Sequence, residues 1–218
     1  MTNEDLRAKI VSTAQEMNAL GLSPGTAGNV SARTAEGFLI TPSGVPYGAL
    51  TPQSMVPTAL DGAYTGDWKP SSEWRMHADI YRAHPEAMAV VHTHSIHATA
   101  LSTLRLDIPA FHYMVAQAGG STIRCATYAT FGTQELSDAM LVALEGRKAC
   151  LLANHGVIAF ERDLARALKL AFEVEVLAQE YAIARRLGDP IILDEAEMAR
   201  VISKFSTYGV QDKKAGGA

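Results

Sequence analysis

The chain has 218 residues, of which 48% are hydrophobic and 19% charged, and its formal net charge is −4. This length fits one domain with a sizeable core, so we expect a single domain over residues 1–218. No basic cluster offers an electrostatic surface for nucleic acid. No stretch reaches the roughly 20 apolar residues of a membrane helix, and the charged N-terminus lacks the form of a signal peptide. The sequence therefore predicts a cytoplasmic protein that binds neither nucleic acid nor membrane.

The first half of the chain alternates between helical and strand-like patterns. The hydrophobic spacing predicts helices over residues 6–20, 71–84 and 96–103, and strands over 38–41, 54–60 and around 90–95. Gly21 ends the first helix and Pro85 ends the second. A loop of small residues at 23–29 leads into residues 30–33.

The second half continues the alternation of strands and helices. The pattern predicts a short helix near 114–116, strands near 123–125 and over 149–160, helices over 134–144, 164–187 and 195–204, and a flexible tail over 211–218. Cys125 and Cys150 match no metal-binding spacing and are predicted to be reduced core thiols. Because several strands are joined by short turns, we expect a mixed or antiparallel sheet with helices on both faces.

Two histidines two residues apart are the main chemical signal in the sequence. His92 and His94 lie on a predicted strand, so their side chains point to the same face, about 7 Å apart along the chain. That pattern alone fits a polar strand face equally well. His155, directly after an apolar run, supplies a third candidate ligand. Three histidines with an open position are typical of catalytic zinc, and the ligand type also permits cobalt, manganese or iron.

Donor-rich loops are the second signal. Ser71, Ser72 and Glu73 stand at the start of a predicted helix, where a serine cap and an acid in the first turn have a purely structural explanation. The same position also binds phosphate, because exposed N–H groups and hydroxyls point outwards from it. Asn29 and the turn at 43–44 could add further donors. Three such loops indicate an anion pocket.

Several other polar residues have simpler interpretations. His77 and His84 fit one face of the second predicted helix, which favours surface or packing roles over metal ligation. Tyr81 belongs to the predicted packing face of that helix. Glu175 is expected to be solvated or in a subunit contact.

Five short motifs together resemble one enzyme family, the class II sugar-phosphate aldolases. In chain order they are Gly28-Asn29-Val30-Ser31, Thr41-Pro42-Ser43-Gly44, Ser71-Ser72-Glu73, His92-Thr93-His94 and Asn154-His155-Gly156. The resemblance covers nearly the whole chain and is strongest to the L-fuculose-1-phosphate aldolase branch of the zinc-dependent aldolase/epimerase superfamily. It implies an α/β fold with three α/β/α layers around a mixed, largely antiparallel sheet.

The resemblance also implies roles for individual residues. His92, His94 and His155 would bind one Zn²⁺ per subunit, and Glu73 would be the catalytic acid/base and a further metal ligand when substrate is absent. The residues implied for the substrate phosphate are Gly28, Asn29, Ser43, Gly44, Ser71 and Ser72. The family often has threonine at the position of Ser43, which keeps the hydroxyl.

Further implied residues lie outside the metal and phosphate sites. Tyr113 would be a catalytic residue donated across a subunit interface, Phe131 would line the aldehyde pocket, and Tyr208 in the tail would close over the site. Family members are usually cyclic homotetramers with active sites between subunits.

The implied reaction is the reversible cleavage of a ketose 1-phosphate, such as L-fuculose 1-phosphate or a related deoxyketose 1-phosphate. The products would be dihydroxyacetone phosphate and a small aldehyde such as lactaldehyde. A pentulose-phosphate 4-epimerase is an alternative, although that branch usually has aspartate at the position of Glu73. A methylthioribulose-1-phosphate dehydratase is a second alternative. A non-catalytic scaffold is a third, but it would have no need of the three histidines together with Glu73.

Overall fold

The computed structural model describes residues 2–205, which form seven strands and six α-helices. The strands are β1 (Asn29–Arg33), β2 (Phe38–Ile40), β3 (Val56–Thr58), β4 (Ala89–Thr93), β5 (Cys125–Ala126), β6 (Ala149–Leu152) and β7 (Gly156–Glu161). The helices are α1 (Asn3–Ala19), α2 (Trp74–Ala83), α3 (Ile96–Thr103), α4 (Gln134–Ala143), α5 (Leu164–Leu187) and α6 (Glu195–Phe205). Short 3₁₀ helices span Tyr47–Ala49, Pro52–Ser54 and Tyr113–Ala118.

The strands form one sheet in the order β3-β2-β1-β4-β7-β6-β5. All neighbours pair antiparallel except β5 and β6, which are parallel. The predicted mixed, largely antiparallel sheet is therefore confirmed.

Helices cover both faces of the sheet. Successive strand residues point to opposite faces, so neighbouring residues of β4 lie in different hydrophobic cores. Val91 lies in one hydrophobic core with Ile10 of α1 and Val174 of α5. Val90 lies in a second core with Met76 of α2 and Met140 of α4. The resulting three layers confirm the α/β/α architecture, and they place α2 over the same face as residue 92.

Several boundaries differ from the sequence predictions, and two of them lie next to the residues of the candidate site. Helix α2 begins at Trp74 rather than at residue 71, and Glu73 is its N-cap without a capping bond from its side chain. The predicted strand over 149–160 is wrong: it is the hairpin β6–β7, turned at Asn154, whose φ is +54°. Both arms are buried, so apolar residues stand on both sides of the turn and neither strand shows the alternation that would mark its end.

Three further expectations concern the chain as a whole. Within residues 2–205, no helix is both long and apolar enough to cross a membrane. The flexible tail at 211–218 and Tyr208 lie outside the described residues, so the tail and the single-domain organisation stay predictions. Both cysteines are free; Cys150 is fully buried, and burial raises the pKa of the half-buried Cys125 to about 11.

Candidate active site

Three separate elements bring four potential metal ligands together at one end of the sheet. His92 is at the end of β4 and His94 follows it, His155 is in the β6–β7 turn, and Glu73 precedes α2. One ligand atom from each residue lies within 4.8 Å of all the others. The structure thus unites the three histidines and the acid that the sequence singled out.

The three imidazoles form a nearly equilateral triangle. Ring centroids are 4.8 Å apart for His92–His94, 4.9 Å for His92–His155 and 4.8 Å for His94–His155. The Nε2 atoms of His92 and His94 are 3.0 Å apart. Glu73 approaches with Oε1 at 3.0 Å from His155 Nε2 and Oε2 at 3.1 Å from His92 Nε2. All these donor atoms face one small volume.

The backbone of the β6–β7 turn positions His155. Asn154 takes the left-handed conformation that asparagine tolerates, and its N–H donates to the Ser102 carbonyl oxygen of α3 at 3.1 Å. Gly156 is required next, because a Cβ there would lie 2.2 Å from the Thr93 carbonyl oxygen. The turn and β4 therefore approach closely enough for His155 to reach the other two imidazoles.

Burial and neighbouring charges shift the pKa values of Glu73 and His92 in opposite directions. Burial by itself would raise the pKa of Glu73, but the imidazoles of His92 and His155 outweigh it and hold that pKa well below its usual range. Burial disfavours charge on His92, yet the Glu73 carboxylate and the Val157 carbonyl raise its pKa. Burial and then the charges of its two neighbours lower the pKa of His94 to about 3. These shifts favour an ionised Glu73 and a neutral His94, the forms in which both groups can bind a metal ion.

These residues fit a divalent metal ion. Glu73 Oε1 is buried, and no donor among residues 2–205 makes a hydrogen bond to it. His92 Nδ1 lies 2.7 Å from the Val157 carbonyl oxygen, to which it donates, so the Nε2 lone pair is directed into the cluster. Three imidazole nitrogens and a carboxylate form a donor set that suits zinc. The cluster is consistent with the metal sites of class II aldolases.

A hydrogen bond from Asn29 also positions the Glu73 carboxylate. Asn29 Nδ2 donates to Glu73 Oε2 at 2.9 Å, and Asn29 Oδ1 lies 2.5 Å from His77 Nε2. His77 is not part of the cluster, as the sequence predicted, but it is completely buried rather than on the surface. Burial and the charge of His92 lower the pKa of His77 to about 3, although Glu73 opposes this. His77 is therefore a neutral imidazole.

The residues expected to hold phosphate fall into a buried and an exposed group. Gly28 and Ser71 are buried and already bonded: the Gly28 N–H donates to Ser23 Oγ at 2.7 Å, and Ser71 Oγ accepts from the Glu73 N–H at 3.3 Å. The exposed residues are Ser43, Gly44 and Ser72.

The exposed donors lie on two neighbouring loops. The Ser71 N–H donates to the Thr41 carbonyl oxygen at 3.1 Å, and the Ser43 N–H donates to the Lys69 carbonyl oxygen at 3.0 Å. These bonds align the turn at 43–44 with the segment that leads into α2. In the described part of the chain, no protein group accepts from the backbone N–H of Gly44 or Ser72.

The two aldehyde-side residues within the described part of the chain are exposed. Tyr113 is 49% exposed and Phe131 is 65% exposed. Tyr113 stacks on His112 and on Phe205 of α6, beside a groove of about 480 Å³ that both Tyr113 and Phe205 line. Phe131 precedes Gly132, where a Cβ would lie 3.0 Å from the carbonyl oxygen of Ser72, the residue before Glu73. Tyr208 lies outside the described residues.

A larger cavity of about 1050 Å³ lies at the other end of the sheet. Its lining includes Arg33 and Met88, at the opposite ends of their strand segments from Asn29 and His92. It contains none of the four clustered residues, so its size does not make it the active site.

The sequence did not predict the hydrogen-bonding roles of several polar residues near the site. Ser31 and Tyr81 join His77 in a buried hydrogen-bonded row, although the sequence indicated only packing roles for His77 and Tyr81. Glu175 is not simply solvated: its carboxylate accepts from the backbone N–H groups of His97 and Ala98, at 2.9 Å each, at the start of α3. The usable signal was spacing, since residues 29 and 31 share a strand face and residues 73, 77 and 81 share a helix face.

Known proteins match both the sequence and the fold. The family model described as Class II Aldolase and Adducin N-terminal domain matches residues 8–182. L-fuculose phosphate aldolase of Escherichia coli strain K12 is 50% identical over 212 residues, which cover 97% of this chain and 99% of that protein. A 5-methylthioribulose-1-phosphate/5-deoxyribulose-1-phosphate aldolase of Rhodospirillum rubrum is 52% identical over 204 residues, 94% of this chain and 92% of that protein.

A solved structure shows the same architecture. It is an L-fuculose 1-phosphate aldolase, 36% identical, with a TM-score of 0.90 over 93% of this chain and 96% of its own. Fold and site define a metal-site α/β enzyme of the lyase class. The chain belongs to the class II aldolase and adducin family, and within it to the sugar-phosphate aldolases.

Proposed function

We propose that this chain is a zinc-dependent aldolase that reversibly cleaves a ketose 1-phosphate into dihydroxyacetone phosphate and a small aldehyde. The observation that carries the proposal is the buried Glu73 carboxylate among the Nε2 atoms of His92, His94 and His155. A base next to a cation site is what the removal of a proton from a carbon beside a carbonyl group requires.

Glu73 moves the proton in this proposal. In the synthetic direction its carboxylate accepts a proton from the hydroxymethyl carbon of dihydroxyacetone phosphate. That carbon then bonds to the aldehyde carbon, and the aldehyde oxygen takes up a proton. The three imidazoles would hold a divalent metal ion, which when bound would supply Lewis-acid stabilisation for the negative charge on the donor's oxygens. In cleavage, Glu73 returns its proton to the same carbon of the three-carbon product.

The exposed donors support a phosphate position beside the cluster. The Ser43 and Ser72 hydroxyls and the N–H groups of Gly44 and Ser72 lie next to the start of α2, where the helix dipole favours an anion. A phosphate held there would place C3 of the ketose, two carbons along from the phosphate-bearing C1, near Glu73. Gly28, Asn29 and Ser71 would act mainly by supporting these loops.

A homotetramer with sites between subunits completes the proposal. Tyr113 from a neighbouring subunit would protonate the aldehyde oxygen, and Phe131 and Tyr208 would bound the aldehyde. The exposure of Tyr113 and Phe131 supports this assignment, because both large side chains remain available to a second chain. The cytoplasmic location also stays a prediction.

Two substrates have equal support from the relatives. The L-fuculose phosphate aldolase and the 5-methylthioribulose-1-phosphate/5-deoxyribulose-1-phosphate aldolase are 50% and 52% identical to this chain. The solved L-fuculose 1-phosphate aldolase and the Rhodospirillum rubrum relative are both named for ketose 1-phosphates, so we place the difference between the two substrates in the aldehyde. We propose L-fuculose 1-phosphate or a 5-substituted pentulose 1-phosphate as the substrate.

A substrate screen tests the reaction. Purified protein is incubated with L-fuculose 1-phosphate, 5-deoxyribulose 1-phosphate, 5-methylthioribulose 1-phosphate and a pentulose 5-phosphate, and dihydroxyacetone phosphate is measured by a coupled dehydrogenase assay. We expect it from at least one 1-phosphate and none from the 5-phosphate. Epimerisation of the 5-phosphate would indicate a 4-epimerase, and water loss without a three-carbon product would indicate a dehydratase.

Metal analysis tests the centre independently of the substrate. We expect about one zinc per chain in purified protein, and loss of both metal and cleavage after chelation. His94→Ala should abolish stoichiometric binding. His84→Ala is the matched control, because His84 lies outside the cluster. Protein without a bound divalent metal, or a His94→Ala variant that retains it, would contradict the proposed centre.

A further inference from the structure

A continuous row of buried polar side chains runs from the interior to Glu73. Asn29 Nδ2 is 2.9 Å from Glu73 Oε2, and Asn29 Oδ1 is 2.5 Å from His77 Nε2. His77 Nδ1 is 2.6 Å from Ser31 Oγ, which is 2.7 Å from the Tyr81 hydroxyl. All five residues are buried, so these four hydrogen bonds have no competition from bulk water.

The chemistry of the groups fixes the direction of every bond. A carboxylate that binds metal or accepts a proton offers only acceptors, so Asn29 must present Nδ2 to Glu73. Asn29 Oδ1 then needs a donor, which is the Nε2–H of His77. The remaining lone pair on His77 Nδ1 accepts the hydroxyl proton of Ser31, and Ser31 accepts from Tyr81. All four bonds therefore donate towards Glu73.

We propose that His77 is a positioning residue, which acts through Asn29 to hold Glu73 as the base. This inference rests on the proposed function in one respect, the role of Glu73. The Nε2–H of His77 locks the Asn29 amide in one orientation and thereby anchors Glu73 Oε2. Oε1, which accepts no hydrogen bond within residues 2–205, is left as the oxygen that receives the substrate's proton.

The physical basis is the near symmetry of an amide. An asparagine side chain can rotate by 180° and exchange its oxygen for its nitrogen. The rotated Asn29 would set Oδ1 against the Glu73 carboxylate, two acceptors with no proton between them. Two groups oppose that rotation: the Glu73 carboxylate, which accepts from Nδ2, and His77, which supplies the one donor to Oδ1 in the described chain. Loss of this donor would therefore displace the base.

Two substitutions at His77 separate positioning from packing. The glutamine side chain is long enough to put an N–H near the position of Nε2, whereas asparagine reaches only the position of Nδ1. His77→Gln thus keeps a donor for Asn29, and His77→Asn keeps a polar group beside Ser31 but loses that donor. Both variants lose ring volume, and because asparagine is also one methylene smaller than glutamine, urea unfolding of both measures the loss that packing alone causes.

We expect His77→Asn to lower kcat by about 10- to 100-fold, the usual effect of losing a residue that orients a ligand or base. KM for the ketose 1-phosphate and the zinc content should stay near their wild-type values, because the exposed phosphate donors and the imidazoles are untouched. His77→Gln should recover most of kcat. Equal losses in the two variants, or a loss confined to KM, would overturn the proposal.

The tautomer of His77 gives a test that needs neither variants nor activity. In wild-type protein labelled with ¹⁵N, long-range ¹H–¹⁵N correlation spectra distinguish a protonated Nε2 from a protonated Nδ1. We expect the Nε2–H form, and the Nδ1–H form would overturn the inference even if the variants do not fold. If the wild-type protein cleaves no ketose 1-phosphate, the proposed function fails whatever the tautomer is, so the two failures are distinguishable.

Discussion

Glu73 Oε1 lies 3.0 Å from His155 Nε2 across the mouth of the cluster, yet this buried oxygen accepts no hydrogen bond within residues 2–205. The other carboxylate oxygen is anchored by Asn29. The two oxygens of one carboxylate are therefore unequal. One has a fixed partner, and the other is free for a metal ion or a proton.

Glu73→Gln should lower aldol cleavage by about 100-fold or more, because an amide cannot accept the carbon-bound proton. The fold and the three histidine ligands should survive, since glutamine has nearly the same shape. The measurements are kcat, zinc content and the exchange of donor hydroxymethyl protons with deuterated solvent. Glu36→Gln, in an exposed turn, is the matched control. Normal turnover by Glu73→Gln would remove the proposed role.

The sequence predicts helices better than it predicts the strand ends. Helices α3 and α5 have their predicted bounds, because their apolar spacing ends at clear boundaries such as Gly188. The β6–β7 hairpin is missed because both strands are buried on both faces, so no alternation interrupts the apolar run. The local signals for that turn are Asn154 and Gly156.

The candidate site also has a part that the sequence predicts and a part that depends on packing between elements. Strand spacing pairs His92 with His94, and the end of an apolar run offers His155 as a third ligand, whereas Glu73 joins them only through the family resemblance. The role of His77 depends on the packing of α2 across β1, which no single local pattern contains. Burial converts this histidine from a plain helix-face residue into the partner of Asn29.

Tyr113→Phe should slow the aldehyde-side steps more than the formation of the donor carbanion, because it removes only the proposed proton donor to the aldehyde oxygen. Cleavage should fall by about 100-fold, within the usual range for a general acid, while donor proton exchange stays near wild type. Stability should change little, since Tyr113 is half exposed. Tyr64→Phe, with similar exposure, is the control. Equal slowing of cleavage and exchange would refute this role.

Gly156→Ala should destabilise the protein and disrupt the metal centre together. The new Cβ would lie 2.2 Å from the Thr93 carbonyl oxygen, so β4 and β7 would have to separate between His92 and His155. We expect a loss of about 1–3 kcal/mol in the free energy of unfolding, as for other overpacked sites, and weaker zinc binding. Gly48→Ala is the control, because a Cβ there has no neighbour within 4 Å. Equal stability of the two variants would contradict the close approach.

Glu175→Ala should destabilise α3 and, with it, the segment that carries His94. The Glu175 carboxylate accepts two backbone N–H groups at the first turn of α3, where no side chain of the helix itself forms a cap. Losing this acceptor should cost about 1–2 kcal/mol in urea unfolding. Glu180→Ala, at an exposed position of the same helix α5, should change stability by less than about 0.5 kcal/mol. Equal effects would show that Glu175 does not act as a cap.

The buried His77 should make the stability of the metal-free protein depend on pH. Its pKa is about 3 in the folded chain, against about 6.5 for an exposed histidine in the unfolded chain. Between these values the unfolded state binds the extra proton, so the free energy of unfolding falls as the pH decreases below about 6.5. One such group changes the free energy of unfolding by up to about 1.4 kcal/mol per pH unit. This contribution is lost when His77 is replaced.

Urea unfolding with chelator present, at about pH 6 and about pH 5, measures this slope. Glutamine does not titrate, so His77→Gln should lose less stability than the wild type between the two pH values, by about 1 kcal/mol. Other histidines, including His92 with its raised pKa, contribute equally to both proteins and cancel in the comparison. Parallel pH dependences for wild type and variant would mean that His77 takes up its proton as readily in the folded chain as in the unfolded one, against the complete burial of its side chain.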